Sequence, residues 1–123
     1  MNKLSWQLDT PIDAISFDCD STIATIEGID YLAKQNDCYA KAHQLTQEAM
    51  QHQNLSSSLF TQRLNLVKPT KDQVIELAQA YLDNLSLDFT TTLRILKSLD
   101  KEIFIISGAN NPPLSLVARH LSI

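Results

Sequence analysis

Two short apolar segments near opposite ends of the chain limit the folds open to it. Ala14 to Phe17 is apolar and β-prone, and Glu102 to Ile106 contains an unbroken apolar run. Unbroken apolar strands are typical of parallel sheets that are covered on both faces. The pattern therefore predicts an α/β fold with two parallel strands. Because several strands normally share such a core, we expect this sheet to pair with something else or to be part of a longer protein.

The rest of the sequence has the apolar spacing of amphipathic helices. It predicts six helices, at about 26–35, 39–52, 59–66, 71–82, 90–99 and 112–121. Thr70 follows Pro69 and is a typical N-cap for the fourth helix, while Ser56 or Ser57 is suited to cap the third. No repeat or low-complexity segment interrupts this order.

Charge and composition argue against several classes of protein. The chain has 10 Lys and Arg against 14 Asp and Glu, with a net charge of −4 and no basic run, so no nucleic-acid partner is expected. No segment reaches the roughly eighteen apolar residues of a transmembrane helix, and Met1 to Pro11 lacks the apolar core of a signal peptide. These observations predict a cytoplasmic protein without a membrane partner. Cys19 and Cys38 form no Cys-x-x-Cys pair, although the chain could make one disulfide between them.

A polar segment, Asp18-Cys19-Asp20-Ser21-Thr22, directly follows the first strand. Ligands of parallel α/β sheets gather at the carboxyl ends of the strands. At that place two carboxylates can bind Mg²⁺, an aspartate can attack phosphorus, and a second carboxyl can transfer protons. Ser21 and Thr22 offer hydrogen-bond donors to phosphate oxygens. The same residue types also populate ordinary turns after strands, so this motif alone leaves both interpretations open.

Ser107 and Gly108 follow the second strand and precede a helix. A serine hydroxyl and backbone N–H groups at this place can bind a phosphate, whose charge the helix N-terminus favours. Glycine lets the backbone approach a ligand closely. A plain turn is the alternative for this pair taken by itself. In a parallel sheet, however, the pair falls at the same end as Asp18 and Asp20.

Four colinear segments resemble the phosphoserine phosphatases of the haloacid dehalogenase superfamily. They are Phe17-Asp18-Cys19-Asp20-Ser21-Thr22, Glu27-Gly28-Ile29-Asp30, Thr61-Gln62-Arg63-Leu64 and Ile105-Ile106-Ser107-Gly108. The resemblance runs from about Ala14 to the last residue. It implies a partial Rossmann-like haloacid dehalogenase core formed by residues 1–29 and 84–123, a helical cap inserted at 30–83, and missing C-terminal core strands.

The resemblance also implies catalytic roles. Asp18 is expected to be the nucleophile and a ligand of Mg²⁺. Asp20 is expected to be the general acid and base, with its backbone carbonyl on the same metal. Ser107 and the backbone of Gly108 are expected to bind the phosphoryl group. The implied activity is hydrolysis of a small phosphomonoester through an aspartyl-phosphate intermediate, with Mg²⁺ as cofactor.

Two further matched residues imply the substrate. Glu27 is expected to bind the substrate ammonium, and Arg63 the substrate carboxylate, to which its guanidinium presents a bidentate fork. The substrate would then be a small phosphorylated metabolite resembling phosphoserine, and the pathway serine biosynthesis. The helical cap would close over the site and exclude water.

Several positions depart from the family pattern. The family's cap carries Gly and Phe where this chain has His52 and Ser56, and that Phe normally lies beside the substrate. Ala109 replaces the second glycine of the family's Ser-Gly-Gly, and Asp88-Phe89 replaces its Pro-Gly. The family's later lysine and acidic loop have no match before Ile123. Without these groups, phosphoryl transfer is expected to slow by orders of magnitude.

Two other functions fit parts of the sequence. A truncated, catalytically inactive relative would bind phosphate or a partner, or would form a homodimer through the exposed edge of its incomplete sheet. A phospho-acceptor receiver domain using Asp18 fits less well. Receivers carry their acceptor on a middle strand and lack a long helical insertion after the first strand.

The remaining conspicuous residues are expected to have ordinary structural roles. The carboxylates beside Cys19 disfavour its thiolate, which predicts an inert thiol. Three histidines are expected at the surface: His43, His52 and His120. Trp6 and Tyr31 are expected to be packing residues. Tyr39 and Tyr81 are expected to be partly exposed.

Overall fold

The computed structural model describes residues 10–51 and 57–123, which contain one small parallel sheet. Its strands are β1, Ala14–Phe17, and β2, Glu102–Ile105. They pair with Ala14 opposite Glu102 and Phe17 opposite Ile105. Both predicted strands are confirmed, although β2 ends one residue earlier than predicted. The protein has the α/β fold that its sequence indicates.

The two faces of the sheet differ in burial, which corrects one prediction. Phe17, Ile103 and Ile105 pack against the buried core, whereas Phe104 on the opposite face is 49% exposed. Within the described residues, the unbroken apolar run is therefore not covered on both faces. The sequence pattern could not reveal this, because Phe104 is as apolar as its two neighbours.

The described residues also form six α-helices, which agree with the six predicted from apolar spacing. They are α1, Gly28–Gln35; α2, Tyr39–Gln51; α3, Ser57–Val67; α4, Lys71–Asp83; α5, Phe89–Ser98; and α6, Asn111–Leu121. A π-type turn, Cys19–Ile23, stands where a polar loop was expected after β1. Most helix boundaries differ from the prediction by one or two residues, which is the usual uncertainty at helix ends.

Helix α4 begins with a capping box. Thr70 Oγ1 accepts the N–H of Gln73 at 3.2 Å, and Gln73 Oε1 accepts the N–H of Thr70 at 2.9 Å. This reciprocal pair satisfies N–H groups that a helix start leaves unbonded, and it confirms Thr70 as the N-cap. From this start α4 packs against both α1 and α6. It therefore runs beside the two polar loops that follow the strands.

The turns of this protein do not use glycine. Among the residues that the structure describes, six others have positive φ angles: Ser21, Asp37, Lys68, Asp88, Asp100 and Ser122. Glycine is the residue most often found in the left-handed backbone conformation, because a side chain raises the energy of that conformation. Neither Gly28 nor Gly108 has a positive φ. Backbone conformation therefore does not require either glycine, and each must be explained by the space around it.

Tyr81 departs most clearly from the sequence prediction. It is completely buried, whereas a partly exposed side chain was expected. The physical reason is that α4 packs against helices on two sides, and that the Tyr81 hydroxyl finds a hydrogen-bond partner in Asp20. Tyr31 packs against the core as predicted, and Tyr39 is partly exposed as predicted.

The two cysteines are both free, so the disulfide open to the sequence is absent. Cys19 is completely buried. Burial, and then the charges of Asp20 and Asp18, raise the pKa of its thiol to about 12. This agrees with the prediction of an inert thiol.

Some sequence predictions concern residues outside the described ranges. The packing of Trp6, the surface position of His52 and the cap substitutions at His52 and Ser56 belong to this group. Among the helices of residues 10–51 and 57–123, none combines the length and apolar character needed to cross a membrane.

Candidate active site

The carboxyl ends of the two strands bring both polar motifs to one edge of the sheet. The Phe17 carbonyl accepts the N–H of Ile106 at 3.0 Å, so the strands still run side by side as they end. Asp18 directly follows Phe17, and Ser107 directly follows Ile106. The parallel pairing thus places the Asp18–Asp20 and Ser107–Gly108 segments together, as the sequence indicates.

The π-type turn after β1 closes tightly on its own backbone. Asp18 Oδ1 accepts the N–H of Cys19 at 2.7 Å, and the Asp18 carbonyl accepts the N–H of Ile23 at 3.3 Å. Ser21 takes a left-handed conformation with φ 56°. The turn buries Cys19 and Ile23 in the core. It thereby leaves the polar residues of the motif at the edge of the sheet.

Asp20 is held by donors from two different elements. Its Oδ1 accepts the N–H of Gly28, at the start of α1, at 2.9 Å, and the Tyr81 hydroxyl of α4 at 2.6 Å. Burial raises the pKa of the Asp20 carboxyl and the Asp18 charge adds to this, while the two hydrogen bonds act in the opposite direction. A raised pKa favours a carboxyl that both donates and accepts a proton near neutral pH.

Glu27 lies beside the same turn. Ser21 Oγ donates to Glu27 Oε1 at 2.6 Å, and burial raises the pKa of the Glu27 carboxyl. Ser21 was a candidate phosphate donor, but its hydroxyl is here bonded to Glu27. The sequence gives no sign of this pairing, since a serine and a glutamate six positions apart have many other partners available.

Arg63 ends a chain of polar side chains in the helical region. Its Nη1 donates weakly to Thr46 Oγ1 at 3.4 Å, and Thr46 donates to Asp30 Oδ1 at 2.9 Å. Asp30 Oδ2 lies 2.6 Å from His43 Nδ1. The Nε atom of Arg63 is buried and has no hydrogen-bond partner in the described part of the chain. Such an unpaired donor is costly, and a bound anion would remove that cost.

The sequence did not predict the hydrogen-bonded pair of Asp30 and Thr46. Asp30 and Thr46 are both almost completely buried, although neither was predicted to lie in the core. The prediction that His43 is a surface residue holds only in part, because its side chain is 40% exposed but pairs with Asp30. The helical period is the signal that could have found the burial of Asp30. Asp30 lies three positions before the buried Ala33 and therefore on the same face of α1.

The loop after β2 is much less constrained. The N–H of Ala109 donates to Ser107 Oγ at 3.2 Å. Gly108 is exposed, and a Cβ added there would meet nothing within 4 Å. Asn110 is the N-cap of α6 but makes no side-chain capping hydrogen bond. Neither packing nor backbone conformation thus requires glycine at this position.

One narrow cleft brings together three of the six predicted site residues. Asp20 from the turn, Arg63 from α3 and Gly108 from the second loop all line it, and so does Tyr81. Asp18, Glu27 and Ser107 do not line this cleft. Its volume is about 30 Å³, which is enough for only one or two water molecules. The cleft in this conformation is therefore smaller than a phosphomonoester.

The residues after β1 suit Mg²⁺ in part. The described residues contain no group of three or more His, Cys, Asp or Glu side chains placed to hold a metal ion. Mg²⁺, however, typically takes only one or two carboxylates from a protein, together with water and substrate phosphate oxygens. Cys19 donates to only one carboxylate oxygen of Asp18, Oδ1. The hydrogen bonds of the described residues therefore leave Asp18 Oδ2 for a ligand of this kind.

Comparison with known sequences points to one group of enzymes. No protein-family profile matches the chain. Phosphoserine phosphatase of Mus musculus is 34% identical over 111 residues, which are 90% of this chain and 49% of that enzyme. Phosphoserine phosphatase of Drosophila melanogaster is 32% identical over 109 residues, 89% of this chain and 40% of that enzyme. The chain spans about half or less of the length of these relatives.

Comparison with solved structures agrees on the fold. A phosphoserine phosphohydrolase-like protein of Francisella tularensis has a TM-score of 0.79 at 24% identity, over 91% of this chain and 55% of that one. A haloacid dehalogenase family hydrolase of Salmonella enterica serovar Typhi has a TM-score of 0.75 at 27% identity, over 92% of this chain and 39% of that one. The chain is therefore similar in sequence to phosphoserine phosphatases and has the fold of the haloacid dehalogenase hydrolases.

Proposed function

We propose that this chain supplies the nucleophile, the proton-transfer group and part of the substrate site for hydrolysis of a small phosphomonoester. The observation that carries the proposal is the shared cleft of Asp20, Arg63 and Gly108, which lies at the edge of the sheet where Asp18 follows β1. These residues come from three elements that are distant in sequence. The names of the matched relatives support the same reaction class.

The reaction would proceed in two displacements. An Asp18 carboxylate oxygen attacks phosphorus and the bond to the leaving oxygen breaks, while Asp20 gives its proton to that oxygen. A water oxygen then attacks the phosphorus of the aspartyl phosphate, and Asp20 takes a proton from that water. The bond between phosphorus and Asp18 breaks, which releases inorganic phosphate and restores both carboxyl groups. The raised pKa of Asp20 supports this assignment.

Mg²⁺, when bound by the Asp18 carboxylate and the Asp20 carbonyl, would offset the negative charge that builds up on the phosphoryl oxygens. Ser107 and the backbone N–H groups around Gly108 would bind the same oxygens at the start of α6. Each of these donors acts most strongly once water has left the phosphoryl group.

The substrate would be a phosphorylated amino acid or a similar metabolite. The buried and unpaired Nε of Arg63 supports recognition of a carboxylate, because a planar guanidinium can bind one with two parallel hydrogen bonds. Glu27 would bind the ammonium group. Its carboxylate already accepts a hydrogen bond from Ser21, which leaves its second oxygen for the substrate.

Residues 30–83 would act as a helical cap on a core formed by the rest of the chain. The volume of about 30 Å³ between Arg63 of α3 and Gly108 supports a closed state. Opening of α3 away from the loop after β2 would admit the substrate, and closure would expel water from the phosphoryl group.

Replacement of the nucleophile tests the proposal. Asp18→Asn should lower Mg²⁺-dependent release of phosphate from phosphoserine by about 10³-fold or more, since an amide is a poor nucleophile. Asp100→Asn is the matched control, because Asp100 lies in the turn before β2 at φ 54°, which asparagine also tolerates. Unchanged turnover in Asp18→Asn would refute the assignment.

An anion-binding protein without turnover is the second candidate. It is favoured by the Nε atom of Arg63, which is buried and has no hydrogen-bond partner in the described residues, because any bound anion could pair with it whether or not it is hydrolysed. Calorimetric titration with phosphoserine, combined with a phosphate-release assay on the same sample, separates the two. Saturable binding without released phosphate would support this second function over hydrolysis.

A further inference from the structure

A buried tyrosine contacts the proposed proton-transfer group from a distant part of the chain. Tyr81 is completely buried in α4, and its hydroxyl donates to Asp20 Oδ1 at 2.6 Å. The two residues are 61 positions apart. Tyr81 therefore joins α4 directly to the turn that follows β1, and no other side chain is hydrogen-bonded to Asp20 in the described residues.

Both hydrogen bonds to Asp20 use the same oxygen. The Gly28 N–H donates to Oδ1 at 2.9 Å and the Tyr81 hydroxyl donates to it at 2.6 Å. Two donors that reach one oxygen from different elements fix both the direction of the side chain and the plane of the carboxyl group. Within the described residues no hydrogen bond reaches Oδ2. Oδ2 is therefore the oxygen of Asp20 that these two contacts leave for another partner.

The absence of a side chain at position 28 makes room for this arrangement. A Cβ added to Gly28 would overlap the Tyr81 hydroxyl, and it would also lie 3.0 Å from Tyr81 Cζ and from Leu77 Cδ2. Gly28 does not have a positive φ, so its role is to leave space. The glycine, the tyrosine and the aspartate therefore form one contact unit, which we call the Asp20 clamp.

We propose that Tyr81 is a positioning residue, whose hydroxyl, together with the Gly28 N–H, holds Asp20 in the one rotamer that leaves Oδ2 for the leaving-group oxygen. The catalytic consequence rests on the proposed function, while the effect on the Asp20 rotamer does not. A tyrosine that only filled the core would give a different result, because removal of its hydroxyl would leave the Asp20 side chain where it is.

The first test measures the Asp20 rotamer without any need for activity. Three-bond NMR couplings from Asp20 Cγ to its backbone nitrogen and carbonyl carbon report χ1 in the full chain. We expect values of a single rotamer in the wild type and averaged values in Tyr81→Phe. Tyr39→Phe is the control, since it removes a tyrosine hydroxyl from the partly exposed start of α2. Unchanged Asp20 couplings in Tyr81→Phe would overturn the proposal.

The second test uses the leaving group. If Asp20 delivers a proton, its misplacement should harm hydrolysis of phosphoserine, which releases a poor alkoxide, more than hydrolysis of p-nitrophenyl phosphate, which releases a stable phenolate. We expect Tyr81→Phe to lower kcat for phosphoserine by about tenfold or more, with a smaller loss for the aryl ester and little change in KM. An equal loss for both substrates would overturn the proposal.

A double variant shows whether Tyr81 acts through Asp20. In an Asp20→Asn background, Tyr81→Phe should cause no further loss of kcat for phosphoserine, because residues that act as one unit are not additive. Additive losses would contradict the clamp. If the wild-type chain releases no phosphate, the proposed hydrolysis has failed, and the Asp20 couplings alone then decide for or against the role of Tyr81.

Discussion

The two loops that follow the strands each contain or lead to one of the two glycines of the chain, but the surroundings of these glycines are opposite. The loop after β1 leads to Gly28, and Tyr81 and Leu77 of α4 occupy the space where a side chain at this position would lie. The loop after β2 contains Gly108, which has open space where a side chain would be. One glycine is explained by the fold and the other is not. The contrast divides the site into two parts. The first part is held by contacts within the protein, and the second part is open to a ligand.

The contrast extends to the polar groups of each loop. After β1, Asp20 accepts two hydrogen bonds and Glu27 accepts one from Ser21. After β2, Ser107 accepts the N–H of Ala109 and makes no other side-chain hydrogen bond within residues 10–51 and 57–123. The first loop therefore holds its polar groups in place before any substrate arrives, which favours catalysis. The second has donors available for the phosphoryl group, which agrees with its proposed role.

The largest difference between the loops should appear when each glycine is replaced by alanine. Gly28→Ala should lower the free energy of unfolding by about 1–3 kcal/mol, because its methyl group overlaps the Tyr81 hydroxyl. Gly108→Ala should change it by less than about 0.5 kcal/mol, since the methyl group meets nothing. Urea denaturation of the three proteins measures both values.

A double variant identifies which atoms cause the loss of stability in Gly28→Ala. In a Tyr81→Phe background the overlapping hydroxyl is gone, so Gly28→Ala should cost less than it does in the wild type. The same cost in both backgrounds would show that Leu77 or the ring, and not the hydroxyl, occupies the space. Equal costs at Gly28 and Gly108 would remove the distinction between the loops altogether.

The features that could be predicted from the sequence are those encoded by neighbouring residues. The Thr70 cap depends on residues within one turn of helix, and the two strands are marked by apolar runs that end in polar loops. The meeting of the two polar motifs followed from the parallel pairing of β1 and β2 alone. These elements need no knowledge of the tertiary structure.

The Asp20 clamp could not be predicted in this way. Tyr81 lies next to the apolar stripe of α4, and only the packing of α4 against two other helices makes its position internal. Its partner, Asp20, is 61 positions away. The burial of Asp30 with Thr46 has the same origin, since each satisfies the other only after α1 and α2 pack together. The exposed face at Phe104 likewise depends on what covers the sheet, not on its own sequence.

A pH-dependent effect separates the buried interior of the first loop from the rest of the chain. Burial raises the pKa of Cys19 to about 12, from an ordinary value of 9.0. Above pH 9 the unfolded chain loses this proton while the folded protein keeps it. Cys19 therefore contributes stability that is complete below pH 9 and is lost as the pH rises towards 12, at up to about 1.4 kcal/mol per pH unit.

The cysteine variants make this measurable. Between pH 9 and 11, the free energy of unfolding should fall less steeply in Cys19→Ala than in the wild type, whatever the offset that the substitution itself causes. Cys38→Ala is the matched control, because it removes the other thiol of the chain from a partly buried position. Equal slopes for the wild type and Cys19→Ala would contradict a buried thiol in this turn.

The smallest effect on stability is expected at Ser107, and there it can be separated from ligand binding. Ser107→Ala removes one local hydrogen bond, to the N–H of Ala109, and should cost about 0.5 kcal/mol or less. Its effect on binding of inorganic phosphate should be larger, about tenfold in Kd, because a hydrogen bond to a charged group contributes more than a neutral one. Ser98→Ala is the control, since Ser98 Oγ donates to the Ile95 carbonyl at the end of α5, away from both loops. Calorimetric titration should show unchanged phosphate binding in that variant. A Ser107→Ala protein that loses stability but binds phosphate normally would contradict the difference between the two loops. The second loop would then be held by its own contacts, as the first one is.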